Sequence, residues 1–324
     1  MRQVIVLSLV DEAAEAAGGC CGPTASGCGE SALTSDDAPD TGPADGGACA
    51  TRGTRVPVLA CSDVLSASGA AVEVVTACSD AEIDAAVKAV RADDAALIVA
   101  AADDGQLRAV LRRLVRAYAP PPSKRPADLP ADRTMPDLPP IGVLPLTPGI
   151  PGIVTDLGLP TDPAAVAAAV LGGATRRLDL LRNDGGSVTS RSAVVGGVDS
   201  EGTAASWRGR VEVDDVVLAD GGEPVLACVV TNSGGVSVDG LPLTSGVAAD
   251  DGRITVAVAV PRRVRRLLRR PAVHIEVRRA TGRAVAVTPR AESVPIIDDG
   301  VAADLTRKRS WWVERGAWAV YVPV

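Results

Sequence analysis

The chain has 324 residues, 47% hydrophobic and 23% charged, with a formal net charge of −7; a fibrous or fully disordered chain is excluded. It has one His, four Trp, two Tyr and no Phe, so a multi-histidine metal centre cannot form and the core must be aliphatic. The acidic balance argues against nucleic acid as a partner. Residues 2–10, RQVIVLSLV, read as a buried first strand, because the apolar run is short and Asp11 and Glu12 follow it. No later window offers the roughly 18 uninterrupted apolar residues of a spanning helix, so the expected location is cytoplasmic.

Residues 18–54 combine Gly, Pro, Asp and Ser with almost no large apolar side chain, and read as a disordered insertion. Four of the seven cysteines, Cys20, Cys21, Cys28 and Cys49, fall there without metal-ligand spacing. Cys61, Cys78 and Cys228 lie among apolar residues and read as small core side chains. Residues 119–140 are Pro-rich and read as an extended or irregular second insertion.

Between these segments strand and helix patterns alternate. Val56–Cys61 and Val72–Thr76 are short β-branched runs, and Asp80 reads as the N-cap of a helix carrying Ile83, Val87 and Val90 on one face. Ala96–Ala101 is an apolar strand, Leu107–Tyr118 a helix and Ile141–Leu146 a further strand. Asp162-Pro163 gives a cap and first-turn proline for a helix over Ala164–Leu171. Such alternation predicts a parallel, doubly wound sheet over residues 1–177.

From Leu178 onward the pattern changes. Ser192–Val198, Arg210–Leu218, Val225–Thr231, Ile254–Val260, Val273–Arg278, Ala284–Thr288 and Trp318–Val322 are short alternating runs separated by Asp-Gly turns. An antiparallel sandwich over residues 178–324 is the expectation. Within it, Pro261–Arg270 reads PRRVRRLLRR. Val264, Leu267 and Leu268 form a helical stripe beside Arg262, Arg263, Arg265, Arg266, Arg269 and Arg270. Two readings stand for it: a helix lying on an anionic membrane surface, and a solvated helix packed on the β-domain. His274 and Trp311–Trp312 read as structural.

Several segments resemble the bacterial diacylglycerol-kinase-type lipid kinases of the NAD-kinase superfamily. Residues 141–179, IGVLPLTPGIPGIVTDLGLPTDPAAVAAAVLGGATRRLD, are similar to the family's IGVLPLGTGNDFARxLGLPTDP…RRLDL segment. Residues 97–110 align with its strand–GGDGT–helix signature, and TNSGG, ADDGRITVAV, VPIIDDG and WWVERGAWAVYVP with its later motifs. The resemblance covers most of residues 55–324. It implies a nucleotide-binding α/β domain, a β-sandwich with the cleft between them, and ATP with Mg²⁺ as cofactors. It also implies a nucleotide or lipid ligand, leaves a homodimer open, and suits a place on the inner face of the membrane.

The motifs carrying the chemistry depart from the family pattern. GGDGT is matched by Ala102, Asp103, Asp104, Gly105 and Gln106, so Asp103 brings negative charge where phosphates would sit. GTGND is matched by Thr147, Pro148, Gly149, Ile150 and Pro151, with two prolines lacking backbone donors. The nucleotide residues implied are therefore Asp104, Gly105, Gln106, Thr147 and Gly149. The family's proposed general-base glutamate is matched by Val301, which cannot accept a proton; neighbouring Asp299 is the remaining carboxylate candidate. In the Mg-associated pattern, Asp250-Asp251-Gly252-Arg253-Ile254-Thr255 lacks the last carboxylate, and no NPxSG turn follows the first strand. The expectation is a catalytically degenerate lipid-kinase homologue. An active ATP-dependent lipid kinase and a peripheral membrane module acting through Arg262–Arg270 are the alternatives.

Overall fold

A computed structural model describes residues 2–10, 55–198, 204–264 and 272–324. In the first half the chain runs β1 (Gln3–Leu9), α1 (Val56–Ala67), β2 (Ala71–Ala77), α2 (Asp80–Asp93), β3 (Ala96–Ala101), α3 (Asp104–Tyr118), β4 (Pro140–Pro145), α4 (Ile153–Leu157) and α5 (Pro163–Gly172). The four strands are parallel in the order β4-β3-β1-β2. Alternation along β1 sorts the core into two layers. Ile5, Leu7 and Leu9 pack with Ile83, Val87, Leu107 and Leu111 of α2 and α3. Val4 and Val6 pack with Val58, Cys61, Leu65, Val166 and Val170 of α1 and α5. This is the doubly wound arrangement expected from the alternating pattern.

The local differences have physical causes. Val56–Cys61 is the start of a helix, not a strand: Pro57 occupies the first turn, and Val58, Cys61 and Leu65 fall on one buried face. Burial of that face against the sheet and α5 outweighs β-branched propensity. The cap of α2 is Ser79, one residue before Asp80. Its Oγ accepts from Glu82 N, while Glu82 Oε2 accepts from Ser79 N, closing a reciprocal box. Asp162 caps α5 as expected, accepting from Ala165 N.

The second half contributes β5 (Thr175–Asn183), β6 (Val188–Thr189), β7 (Ser192–Val198), β8 (Ala204–Ala205), β9 (Gly209–Val213), β10 (Val216–Asp220), β11 (Ala227–Thr231), β12 (Gly234–Val238), β13 (Leu241–Val247), β14 (Ile254–Val264), β15 (Ala272–Gly282), β16 (Ala284–Pro289), β17 (Val294–Asp298), β18 (Val301–Leu305) and β19 (Arg309–Tyr321). Arg210–Leu218 is thus a hairpin rather than one strand, turned at Asp214 with φ 47°. An antiparallel sheet in the order β15-β14-β11-β7-β17-β18 faces β9, β10, β16, β19 and β5 across a second core. Val195, Cys228, Val230, Val256 and Val258 meet Val211, Val213, Val285, Val287 and Trp311 there. The β12–β13 hairpin covers the outer face through Val236 and Leu243.

One strand joins the two halves. β19 pairs antiparallel with β16 and β5, then parallel with β4 through Ala319 and Val320. Trp311 consequently lies in the sandwich core and Trp318 in the α/β core.

The basic segment is not a helix where it is described. Pro261–Val264 continues β14, in register with Ala272–Ile275, because the hairpin ladder with β15 extends the alternation of Val256, Val258 and Val260. Arg262 pairs with Glu276 at 2.7 Å and with Glu223 at 3.5 Å, and Arg263 stands opposite Val273. Arg265, Arg266, Arg269 and Arg270 lie outside the described residues, as does the segment 18–54 apart from its last neighbours at Arg55 onward. Residues 119–140 are irregular apart from a turn at Pro122–Lys124, yet Met135 and Leu138 are buried and Thr134 N donates to Glu314 Oε2 at 2.7 Å. Cys61 and Cys228 are buried free thiols, whereas Cys78 is disulfide-bonded. Among the described residues no helix is long and apolar enough to cross a membrane.

Candidate functional site

The chain leaves β1 toward β2 on one side and crosses back to β3 on the other. That reversal opens a crevice at the carboxyl ends of β1 and β3, where open α/β sheets bind ligands. A cavity of about 600 Å³ lies there. Its floor is the β3–α3 turn, one wall is the loop after β4, and the opposite wall comes from the sandwich through Arg191–Ser192 and Asp299–Val301. Asp104, Gly105, Gln106, Thr147, Asp299 and Val301 all line it. Gly149 does not; it sits in the β4–α4 loop with φ 86°. Arg262 lies away from the cavity on the β14–β15 hairpin.

The β3–α3 turn satisfies two of its own donors. Asp103 Oδ1 caps α3, accepting from Gln106 N at 2.9 Å, and Gln106 Oε1 accepts from Ala102 N at 2.8 Å. Two backbone amides of the turn are therefore engaged by side chains of the same turn. Val301 closes over it: a Cβ on Gly105 would stand 2.8 Å from Val301 Cγ2 and 3.3 Å from the Asp299 carbonyl, so no larger residue fits at 105.

Asp299 has φ 49° and is buried. Its carboxylate accepts from Ser190 N at 2.6 Å, Ser190 Oγ at 3.0 Å, Arg191 N at 2.9 Å and Ser192 N at 3.0 Å. Burial and the neighbouring Asp298 push its carboxyl up to about 6, against the pull of those amides. Asp298 accepts from Thr189 Oγ1 and pairs with Arg108 at 2.9 Å. Both acids hold the β6–β7 turn in place.

Asp104 is differently placed. Its Oδ1 accepts from Ile153 N at 3.0 Å, tying α4 to the β3–α3 turn. Oδ2 accepts no hydrogen bond among the described residues; the nearest cation, Arg191 Nε, is 3.9 Å away and is held by Asp156 at 2.6 Å. Burial is the main cause that raises the Asp104 carboxyl to about 6, and the charges of Asp299 and Asp156 add to it. Arg191 and Asp156 carry no motif of their own. Three separate segments meet at this point, and only the fold brings them together.

The residues present do not fit a nucleotide triphosphate with its metal. The lining carries Asp80, Asp103, Asp104 and Asp299 against Arg191, so a triphosphate would meet net negative charge. Among the described residues no group of three or more His, Cys, Asp or Glu is arranged to hold a metal ion. The acidic run after β13 is spoken for: Asp250 pairs with Arg176 at 2.9 Å and Asp251 Oδ1 accepts from Arg253 N. Nearby, Asp179 accepts from Gly252 N at 2.6 Å and Gly316 N at 2.7 Å. Burial raises the Asp179 carboxyl against the pull of the Gly316 and Gly252 amides, and Arg315, which lies across Gly252 where a Cβ would stand 2.4 Å from its Nε, lowers it slightly. EDTA and millimolar Mg²⁺ are each expected to move the melting temperature by less than about 1 °C, as a ligand with no native site gives no linkage. Differential scanning calorimetry measures this.

Residues 48–183 match the diacylglycerol kinase catalytic domain family model. Among solved structures, a diacylglycerol kinase from Bacillus anthracis str. Sterne superimposes with a TM-score of 0.54 at 12% identity, over 80% of this chain and 88% of that one. Two further structures from the same organism, given the same assignment provisionally, have TM-scores of 0.57 and 0.58 at 12% identity; the second covers 82% of this chain and 91% of its own. At that identity the likeness is one of fold. No curated protein sequence matches the chain. Residues 48–183 thus match the diacylglycerol kinase catalytic domain model, and the fold as a whole is similar to those structures over 80–82% of the chain.

Proposed function

We propose that the protein is a catalytically silent lipid-kinase homologue whose cleft binds a ligand without transferring phosphate. The observation that carries this is Val301, the residue aligned with the family's glutamate, packed against Gly105 on the cavity wall. A valine offers no lone pair to a lipid hydroxyl. Asp299, two positions away, spends its carboxylate on four donors of the β6–β7 turn. The turn that would cradle phosphates has its Ala102 and Gln106 amides engaged internally.

One observation favours a second reading, an active ATP-dependent lipid kinase. Asp104 Oδ2 has no hydrogen bond among the described residues, and its carboxyl, raised to about 6, has the basicity of a useful general base. The two readings separate in one assay of radiolabel transfer from ATP to diacylglycerol, with Mg²⁺ and mixed micelles. The silent reading expects no lipid-dependent label, and calorimetric titration showing ATP affinity weaker than about 1 mM. Label transfer that Asp104→Ala abolishes would establish the second reading instead.

A further inference from the structure

The cavity has a chemical asymmetry that a phosphate ligand does not explain. Its deep wall is aliphatic, formed by Leu9, Ala77, Ile83, Leu107, Val143 and Ile153, all buried. Its charge is negative and unevenly neutralised. Asp80 pairs with Arg112 at 2.7 Å, Asp103 caps α3, and Asp299 is enclosed by its four donors. Asp103 is exposed at its Oδ2, whereas Asp104 Oδ2 has no hydrogen bond among the described residues on a side chain only 16% exposed. Arg191 neutralises it only in part, because Asp156 holds that guanidinium 1.3 Å closer than Asp104 does (2.6 against 3.9 Å). A largely buried carboxylate beside an apolar cavity, with its nearest cation at 3.9 Å, leaves room for a closer one.

We propose that the cleft takes an organic cation with an apolar body, of the alkylammonium class, its charge on Asp104 Oδ2 and its body along the aliphatic wall. The cavity volume of about 600 Å³ suits a small organic ligand rather than a bare metal ion. An ammonium brings the hydrogen-bond donors that the oxygen lacks, and its chain displaces water from a wall that gains nothing from hydration. This inference rests on the reading of the cleft as a ligand site, and adds the ligand's charge and shape.

Hexylammonium, hexanol and hexanoate share one chain and differ in head charge. Titration calorimetry of the full chain at pH 7.5 is expected to rank hexylammonium at least about tenfold above hexanol, with hexanoate weakest. In Asp104→Asn, which keeps an oxygen to accept from Ile153 N, the preference for ammonium over alcohol disappears while hexanol binding persists. Wild type supplies a readout free of any folding defect. The groups facing Asp104 are Asp299, Asp156, Arg191 and the Ile153 amide. Lowering the pH from 7.5 to 5 protonates Asp104 and reduces hexylammonium affinity about tenfold, leaving hexanol unchanged. Equal binding of hexylammonium and hexanol overturns the cation assignment and leaves the silent-kinase reading standing, as does an ammonium preference that survives Asp104→Asn. Lipid phosphorylation by ATP has the converse effect on that reading. Absence of binding by all three probes overturns the assignment as well.

Discussion

Asp299→Ala is expected to lower stability by about 3 kcal/mol, because it strands two buried amides and a part-buried one at once. The carboxylate is the acceptor for Ser190 N, Arg191 N and Ser192 N, and among the described residues those donors have no other acceptor. An unsatisfied buried donor costs about 1–3 kcal/mol. Removing a burdened charge offsets part of this, since burial and Asp298 already raise the carboxyl to about 6. Alanine at φ 49° adds a smaller backbone cost. Urea denaturation reads the result as a lower midpoint at unchanged slope. Asp299→Asn should fall between the two, as its oxygen serves some of the amides while its NH₂ opposes the others. A midpoint equal to wild type for Asp299→Ala would mean that water reaches the turn. The consequence extends to the cleft: the same amides fix Arg191, which Asp156 and Asp104 share.

The layered architecture was legible where burial and local signals agree. Ala96–Ala101 is wholly apolar and wholly buried, and Asp162-Pro163 starts α5 by a cap that depends on three residues only. Val56–Cys61 misled because its β-branched residues also satisfy a helical period once Leu65 is counted. The segment Pro261–Val264 misled for the opposite reason. Its helical stripe needs Leu267 and Leu268, while the strand ladder that captures it is a long-range partnership with β15. Most of β19 escaped notice because Trp311 and Trp318 face two different cores along one strand.

The site divided in the same way. Motif alignment found the β3–α3 turn and the 299–301 turn, and the fold brings both to one cavity. It did not find Arg191 or Asp156, whose roles depend on three segments distant in sequence meeting at Asp104. Nor does sequence distinguish Asp299 from Asp104. Both are aspartates in Asp-Gly turns, yet one is saturated by amides and the other keeps an open oxygen. The difference lies in which backbone donors the tertiary fold delivers.

That difference predicts the second large effect, a stabilisation. Asp104 has a folded-state pKa of about 6 against an ordinary value of 3.8. Below 3.8 both folded and unfolded chains hold the proton, and the group contributes nothing to pH dependence. Between 3.8 and about 6 the folded chain binds the proton more tightly, so stability falls as pH rises through this window. Above about 6 the full penalty of a largely buried, weakly paired charge is present, on the order of 2–3 kcal/mol at 1.36 kcal/mol per unit. Asp104→Asn removes that charge and keeps the bond from Ile153 N, so it should stabilise the protein at pH 7.5 by about 2 kcal/mol. The gain should shrink toward zero by pH 4, when wild type carries the proton itself. Thermal denaturation of both proteins across that range tests it. A variant no more stable than wild type at pH 7.5 would show that Arg191 already neutralises Asp104, and would remove the reason for a cation to enter the cleft. A variant that gains stability at pH 7.5 while losing ammonium preference would place the cost and the use of the same charge at one atom. A carboxylate that costs stability in this cleft is then explained by what it binds.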